Sequence, residues 1–219
     1  MRILYKDITQ NEKIRIYIEK ADQSLLAMGY TEHSFAHVRK VAETAGEILR
    51  IQGFDEREIE LACIAGYLHD IGNVVNRVDH AQSGAVMAFR ILDQMNGDPG
   101  EIATIVTAIG NHDEATAFPV NPVAAALILA DKTDVRCTRV RNQDGATFDI
   151  HDRVNFSVKD SHLQVERDQY IELQLAIDTQ VCAVMDYFEI FLGRMILCRK
   201  AAEKLGLQFR LTINGQRMM

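Results

Sequence analysis

Four of the chain's seven histidines fall in one ordered series with two aspartates: His37, the adjacent pair His69-Asp70, His80, His112 and Asp131. Imidazole nitrogens and carboxylate oxygens together are ligands for borderline and hard divalent metals such as Fe, Mn, Zn and Mg. A zinc site takes three or four ligands from protein. Six candidate groups exceed that, and they suffice for two ions sharing a bridging carboxylate and a bridging water. Two ions held in this way bind phosphate and activate water against it. The other three histidines, His33, His151 and His162, read as exposed or hydrogen-bonded structural residues, the commoner fate of a lone histidine.

Such a cluster needs a scaffold that aims six side chains inward. Ile14, Ile18, Leu25 and Met28 recur at helical spacing over 11–28, and Gly29 can end that helix. A second helix, from His33 to about Ile51, carries Phe35, Val38, Val41, Ala42, Ala45, Ile48 and Leu49 on its apolar face. Asp55 with Glu58 forms a capping box for a third, which runs to His69-Asp70, with Gly72 suited to its end. A fourth helix starts near His80 and ends at Asn96-Gly97, and a fifth runs from Asp98-Pro99 to about Asn111. Asn121-Pro122 opens a sixth, which reaches Asp131. Each ligand candidate thus falls in a helix or at its end, as in metal sites built between the helices of a bundle.

Beyond about residue 138 the period changes. Val154, Phe156 and Val158 alternate with polar residues, as do Leu163 and Val165. The clearest strand places Ile171, Leu173, Leu175 and Ile177 on one face. Asp160-Ser161 and Asp168 stand where hairpin turns are needed. A long amphipathic helix follows Asp178-Thr179 and closes near Leu205-Gly206, before a last strand through Leu207, Phe209, Leu211 and Ile213. The expected fold is mainly α: a helical domain over 1–138 carrying the metal site, and a C-terminal α+β part over 139–219, with an antiparallel sheet and one long helix. A unit that small is marginal alone. It must cover the helical domain or pair with a second chain, and a homodimer and an intramolecular cover stand as equal expectations.

Composition narrows the partners. The 219 residues are 47% hydrophobic and 25% charged, with a formal net charge of −7 and a pI near 5.5. A large basic surface for duplex nucleic acid is not expected. The opening stretch MRILYKDITQNEK is charged and polar, unlike a signal peptide, and the apolar run from Val123 to Ala130 is too short to span a bilayer. Cys63, Cys137, Cys182 and Cys198 form no CxxC, which fits reduced thiols in a cytoplasmic protein without a membrane partner.

The motifs around the cluster carry a resemblance. His37-Val38-Arg39-Lys40-Val41-Ala42, Leu68-His69-Asp70-Ile71-Gly72 and Leu129-Ala130-Asp131-Lys132 are similar to the three signature segments of the HD-domain metal-dependent phosphohydrolase superfamily, over roughly residues 30–135. Lys40 stands where an arginine is common. Asp79-His80-Ala81-Gln82-Ser83-Gly84-Ala85 resembles the H-x-x-x-G-A element of the branch that cleaves dinucleoside tetraphosphates, and His112 falls at that branch's fourth histidine. The resemblance implies an HD helical bundle with a binuclear centre, of iron or manganese first, with magnesium or zinc as further options. It departs from the cyclic-di-GMP phosphodiesterase branch: Asn73 follows HDIG, Asp113 follows His112, and there is no GYP.

By the same resemblance, Asp70 bridges two ions, His37, His69 and Asp131 complete one site, and His80 and His112 the other. The implied reaction is hydrolysis of a phosphoester or phosphoanhydride of a small phosphorylated substrate, a nucleotide or dinucleotide, by a metal-bridging water. Asp70 and Lys132 are the catalytic candidates, and Arg77, Lys132 and Arg136 the candidate phosphate-binding cations. Asp113 and Glu114 are placed to supply a proton or orient water, or to be no more than a polar helix end. Two other classes stand beside hydrolysis. Mixed-valent di-iron oxygenases of the HD fold share the ligand order, though with wider spacing around the third histidine than the ten residues from Asp70 to His80. A non-catalytic nucleotide-binding regulator would keep the fold, but such proteins often lack ligands that are all present here.

Overall fold

Helix starts in this chain are set by short polar side chains that catch free N–H groups. In the computed structural model, which describes residues 2–142 and 148–219, Asn11, Ser34, Asp55, Asp98, Asn121 and Asp149 each accept hydrogen bonds from backbone N–H groups of the turn that follows. They open α2 (Glu12–Ala27), α3 (Phe35–Gln52), α4 (Glu56–Leu68), α6 (Pro99–Gly110), α7 (Pro122–Lys132) and α8 (Ile150–Ser157). α5 (His80–Gln94) begins with its first cluster histidine. A short helix that periodicity does not announce, α1 (Tyr5–Gln10), precedes them and buries Ile8.

α7 is the central rod. Every residue from Val123 to Lys132 is buried, and α3, α4, α6 and the long C-terminal helix over 184–204 pack around it. The α3–α4 pair, which must bring His37 and His69 together, approaches closely at Gly66: a Cβ there would lie 2.7 Å from Ala42 Cα. After α4, Ile71–Val74 forms a 3-10 turn packed against α2 and α5. Gly72 lies in that turn. Its role is close approach rather than helix termination, since a Cβ would collide with the His80 carbonyl and the Gly84 backbone nitrogen.

The C-terminal part departs from its sequence pattern in three places. Val154 and Phe156 do not continue a strand into Val158: residues 150–157 are α8, and Val158 opens the strand that follows. Asp149 caps its start, Val154 and Ser157 make a buried helical pair, and Phe156 is left 39% exposed. Asp160-Ser161 is not a turn but lies inside β1 (Val158–Glu166), where the register slips between Val158 and Asp160. Asp168, at φ 57°, does hold the hairpin to β2 (Tyr170–Ile177). The third departure is topological. The long helix, α9 (Val184–Lys204), starts later than Thr179 and carries the chain back, so that β3 (Gln208–Ile213) pairs parallel with β2. The four-stranded sheet, in order β1-β2-β3-β4, is therefore mixed rather than wholly antiparallel. Asn214 and Gly215, both at positive φ, turn the chain into β4 (Gln216–Arg217).

α9 lies on α7 and on β3, and one apolar core runs from Ile3 through the helices to Ile213 in the sheet. The apolar sheet face of Ile171, Leu173, Leu175 and Ile177 is buried in this core, whereas Met185 and Leu192 of α9 are exposed. All four cysteines are free, and no described helix is long and apolar enough to cross a membrane.

Candidate metal centre

Six elements deliver the cluster. α3 contributes His37, the end of α4 His69, the turn after it Asp70, the start of α5 His80, the end of α6 His112, and α7 Asp131. All six side chains belong to residues no more than 9% exposed. Unpartnered polar groups at such depth are costly, so each must have a use.

The imidazoles are fixed through one nitrogen. Nδ1 lies 2.8 Å from Gly66 O in His69, 3.0 Å from Arg77 O in His80 and 2.6 Å from Ile109 O in His112. A carbonyl only accepts, so each Nδ1 carries the hydrogen. His37 Nδ1 donates instead to the Asp134 carboxylate, at 2.8 Å. In a neutral imidazole each Nε2 then carries a lone pair, and these point together. His80 Nε2 and His112 Nε2 face each other at 3.2 Å, and His37 Nε2 and His69 Nε2 have no hydrogen-bond partner. A ligating histidine is normally held this way, by its other nitrogen.

Asp70 stands between the imidazoles. Its Oδ2 is 3.6 Å from His37 Nε2 and 3.2 Å from His69 Nε2, while Oδ1 faces His80 Nε2 at 3.5 Å. Asp131 Oδ1 approaches His37 Nε2 at 3.4 Å and His69 Nε2 at 3.7 Å. Three overlapping triads have ligand atoms within 4.8 Å of one another: His37-His69-Asp70, Asp70-His80-His112 and His69-His112-Asp131. The donor set fits divalent metal ions.

The electrostatics agree. Burial opposes ionisation of Asp70 and Asp131, but neighbouring cationic groups, His69 for the first and Lys132 for the second, outweigh it and hold both well below the usual carboxylate range. Burial pushes the His112 imidazole down to about 3, with His69 and Lys132 adding to it. For His69, burial is outweighed by the Asp70 and Asp131 carboxylates, and its pKa rises. Two buried carboxylates demand positive charge between them, which a proton on His69 or a metal ion supplies.

A cavity of about 480 Å³ opens on the cluster. Lys132 lines it, is buried, and places Nζ 2.7 Å from Asp131 Oδ2 and 3.4 Å from Glu114 Oε2. Arg77 lines it too, with Nη1 3.3 Å from His80 Nε2. Arg136 does not. Its guanidinium grips Asp134 at 2.7 and 3.1 Å and reaches Glu32, so it is a structural cation rather than part of the cavity wall.

The structure adds residues that sequence reasoning passed over. Asn73 donates to Asp70 Oδ1 at 2.9 Å and fixes its carboxylate. Asp134 is fully buried between His37, Lys40, Arg136 and Arg139. His33, expected to be structural, instead places Nε2 4.0 Å from Asp70 Oδ2 at the cavity wall, with Nδ1 against Thr31 O. Its spacing of four from His37 was a legible signal. Arg194 of α9 also lines the cavity, and no local pattern announces it.

Residues 34–136 match the family model of the HD domain. That span includes all six cluster residues. The chain is 22% identical over 202 residues to the uncharacterized protein MJ1020 of Methanocaldococcus jannaschii, a match covering 82% of this chain and 78% of that one. It is also similar to the crystal structure of a predicted HD superfamily hydrolase from an uncultured Thermotogales bacterium, with 26% identity over 60% of this chain and 73% of that chain, at a TM-score of 0.43.

Proposed function

We propose that this HD domain is a metal-dependent phosphohydrolase, that it takes two divalent ions, iron or manganese by preference, and that it acts on a nucleotide or dinucleotide phosphate. The observation that carries the reading is Asp70. One of its oxygens faces His37 and His69, and the other faces His80. A carboxylate divided between two imidazole groups is the arrangement a bridging ligand needs. His37, His69 and Asp131 would hold one ion with it, and His80 and His112 the other. When bound, the ions supply positive charge that lowers the pKa of water and binds phosphoryl oxygen.

The chain's own residues do the rest. Asn73 orients Asp70, and Asp134 orients His37. Lys132, held beside Asp131, offsets charge on a phosphoryl group entering the cavity. Arg77 does so from the His80 side, with its guanidinium 5.7 Å from the Tyr30 ring. The cavity has the size of small-molecule sites, and Lys132 and Arg77 offer it cationic groups for an anionic substrate.

Asp70→Ala tests this. It should abolish phosphate release and remove most bound metal while circular dichroism stays helical, because both sites lose charge and a ligand at once. A well-folded Asp70→Ala protein that still releases phosphate would sink the reading.

A further inference from the structure

We propose that Arg194, on α9, binds phosphoryl oxygens of the substrate, so that the C-terminal part supplies a binding residue to the HD centre. The proposal rests on the phosphohydrolase reading and adds a residue to it.

Arg194 is held in place from two sides. Its Nε donates to Glu114 Oε1 at 2.6 Å, and its guanidinium carbon lies 4.5 Å from the Phe191 ring centroid. Glu114 in turn touches Lys132, which touches Asp131 of the cluster. A chain of alternating charge, Asp131, Lys132, Glu114, Arg194, therefore runs from the metal centre along the cavity wall. The formal charges of that chain balance, and its two cations, Lys132 and Arg194, both line the cavity.

What distinguishes Arg194 from a structural strut is its unused fork. Arg57 shows the structural case: Nε and Nη2 bind Glu101, and Nη1 binds the Ile3 carbonyl. Arg139 likewise directs Nε and Nη1 to backbone carbonyls. For Arg194 only Nε has a hydrogen-bond partner among the described residues. The two terminal NH2 groups keep their donors on a side chain 26% exposed and lining the cavity. A planar guanidinium oriented in advance, with two free NH2 groups, matches phosphate oxygens bidentately. Glu114 and Phe191 limit the rotamer freedom lost on binding.

The test uses the full chain loaded with magnesium or zinc, and inorganic phosphate as the probe. Arg194→Gln should weaken phosphate binding, measured by calorimetry, about tenfold or more, as expected for lost charge-assisted hydrogen bonds. Metal content should be unchanged, and KM should rise more than kcat falls. Arg194→Lys keeps a charge beside Glu114 and should recover only part of the loss. Equal phosphate affinity in a folded, metal-replete Arg194→Gln protein would show a strut and overturn the proposal. Should that variant fail to fold, the wild type decides: phosphate must shift the Arg194 side-chain NMR resonances, and unshifted resonances at saturation overturn the proposal, as does a wild type that binds no phosphate. A wild type that binds phosphate but releases none from any phosphoester would sink the phosphohydrolase reading while leaving Arg194 to be judged by the affinities.

Discussion

Each cluster imidazole commits Nδ1 to a fixed acceptor, and this is what defines its Nε2 as a ligand atom. Three of those acceptors are backbone carbonyls that no substitution removes. The fourth, Asp134, is a side chain, and burial would raise its carboxyl pKa were it not for His37 and the surrounding arginines, which hold it far below the usual range. Asp134→Asn should leave the helical fold in place and weaken metal binding about 10–100-fold, read by competition with a chromophoric chelator. Unchanged affinity would mean that the packing of α3 alone orients His37. Glu114 gives a test with a sign. Burial would raise its pKa, but Lys132 and Arg194 lower it from 4.5 to about 2. Its folded value lies below the unfolded one, so its contribution to stability is full above about pH 4.5 and is lost as pH falls toward about 2. The stability advantage of wild type over Glu114→Gln, from urea titrations, should shrink between about pH 5 and pH 3. An advantage that stayed constant would contradict the pairing.

Among the elements, Gly72 carries the most specific expectation. Its missing Cβ lets the turn after Asp70 lie on the first turn of α5, where His80 sits, and the two nearest atoms a methyl would meet, the His80 carbonyl oxygen and the Gly84 nitrogen, are backbone atoms that cannot rotate away. Gly72→Ala should cost about 1–3 kcal/mol in denaturant unfolding and loosen metal binding, since Asp70 and His80 would be pushed apart. The caps explain why helices α2, α4, α6 and α7 could be read from the chain: Asn11, Asp55, Asp98 and Asn121 act within three residues of themselves. The failures share the opposite cause. Val154 and Phe156 alternate like a strand, but the Asp149 cap and packing on α9 make them helical. The parallel β2–β3 pairing is decided by where α9 docks, which no local pattern contains. The cluster ligands were legible because they share rare residue types at helix ends. Asp134 and Arg194 were not, because their partners lie 97 and 80 positions away.

At the scale of the molecule, the C-terminal part is a wall of the site as well as a cover for the bundle. α9 lies along α7, and Phe191 and Arg194 face the same cavity as Asp70 and Asp131. Truncation after Arg141 would expose the face of α7 that α9 covers and remove Arg194. The expected product is aggregation-prone and poor in metal, as judged by size-exclusion chromatography and metal analysis. A soluble monomer with full metal content and unchanged substrate range would show that the two parts are independent.

One arrangement, a carboxylate shared between two sets of imidazoles, defines the proposed centre, and its most direct test is the number of ions bound. Protein purified without oxygen and equilibrated with excess iron or manganese should carry about two ions per chain by elemental analysis, as expected for six ligands of mixed nitrogen and oxygen type. A single tightly bound zinc under the same conditions would contradict it.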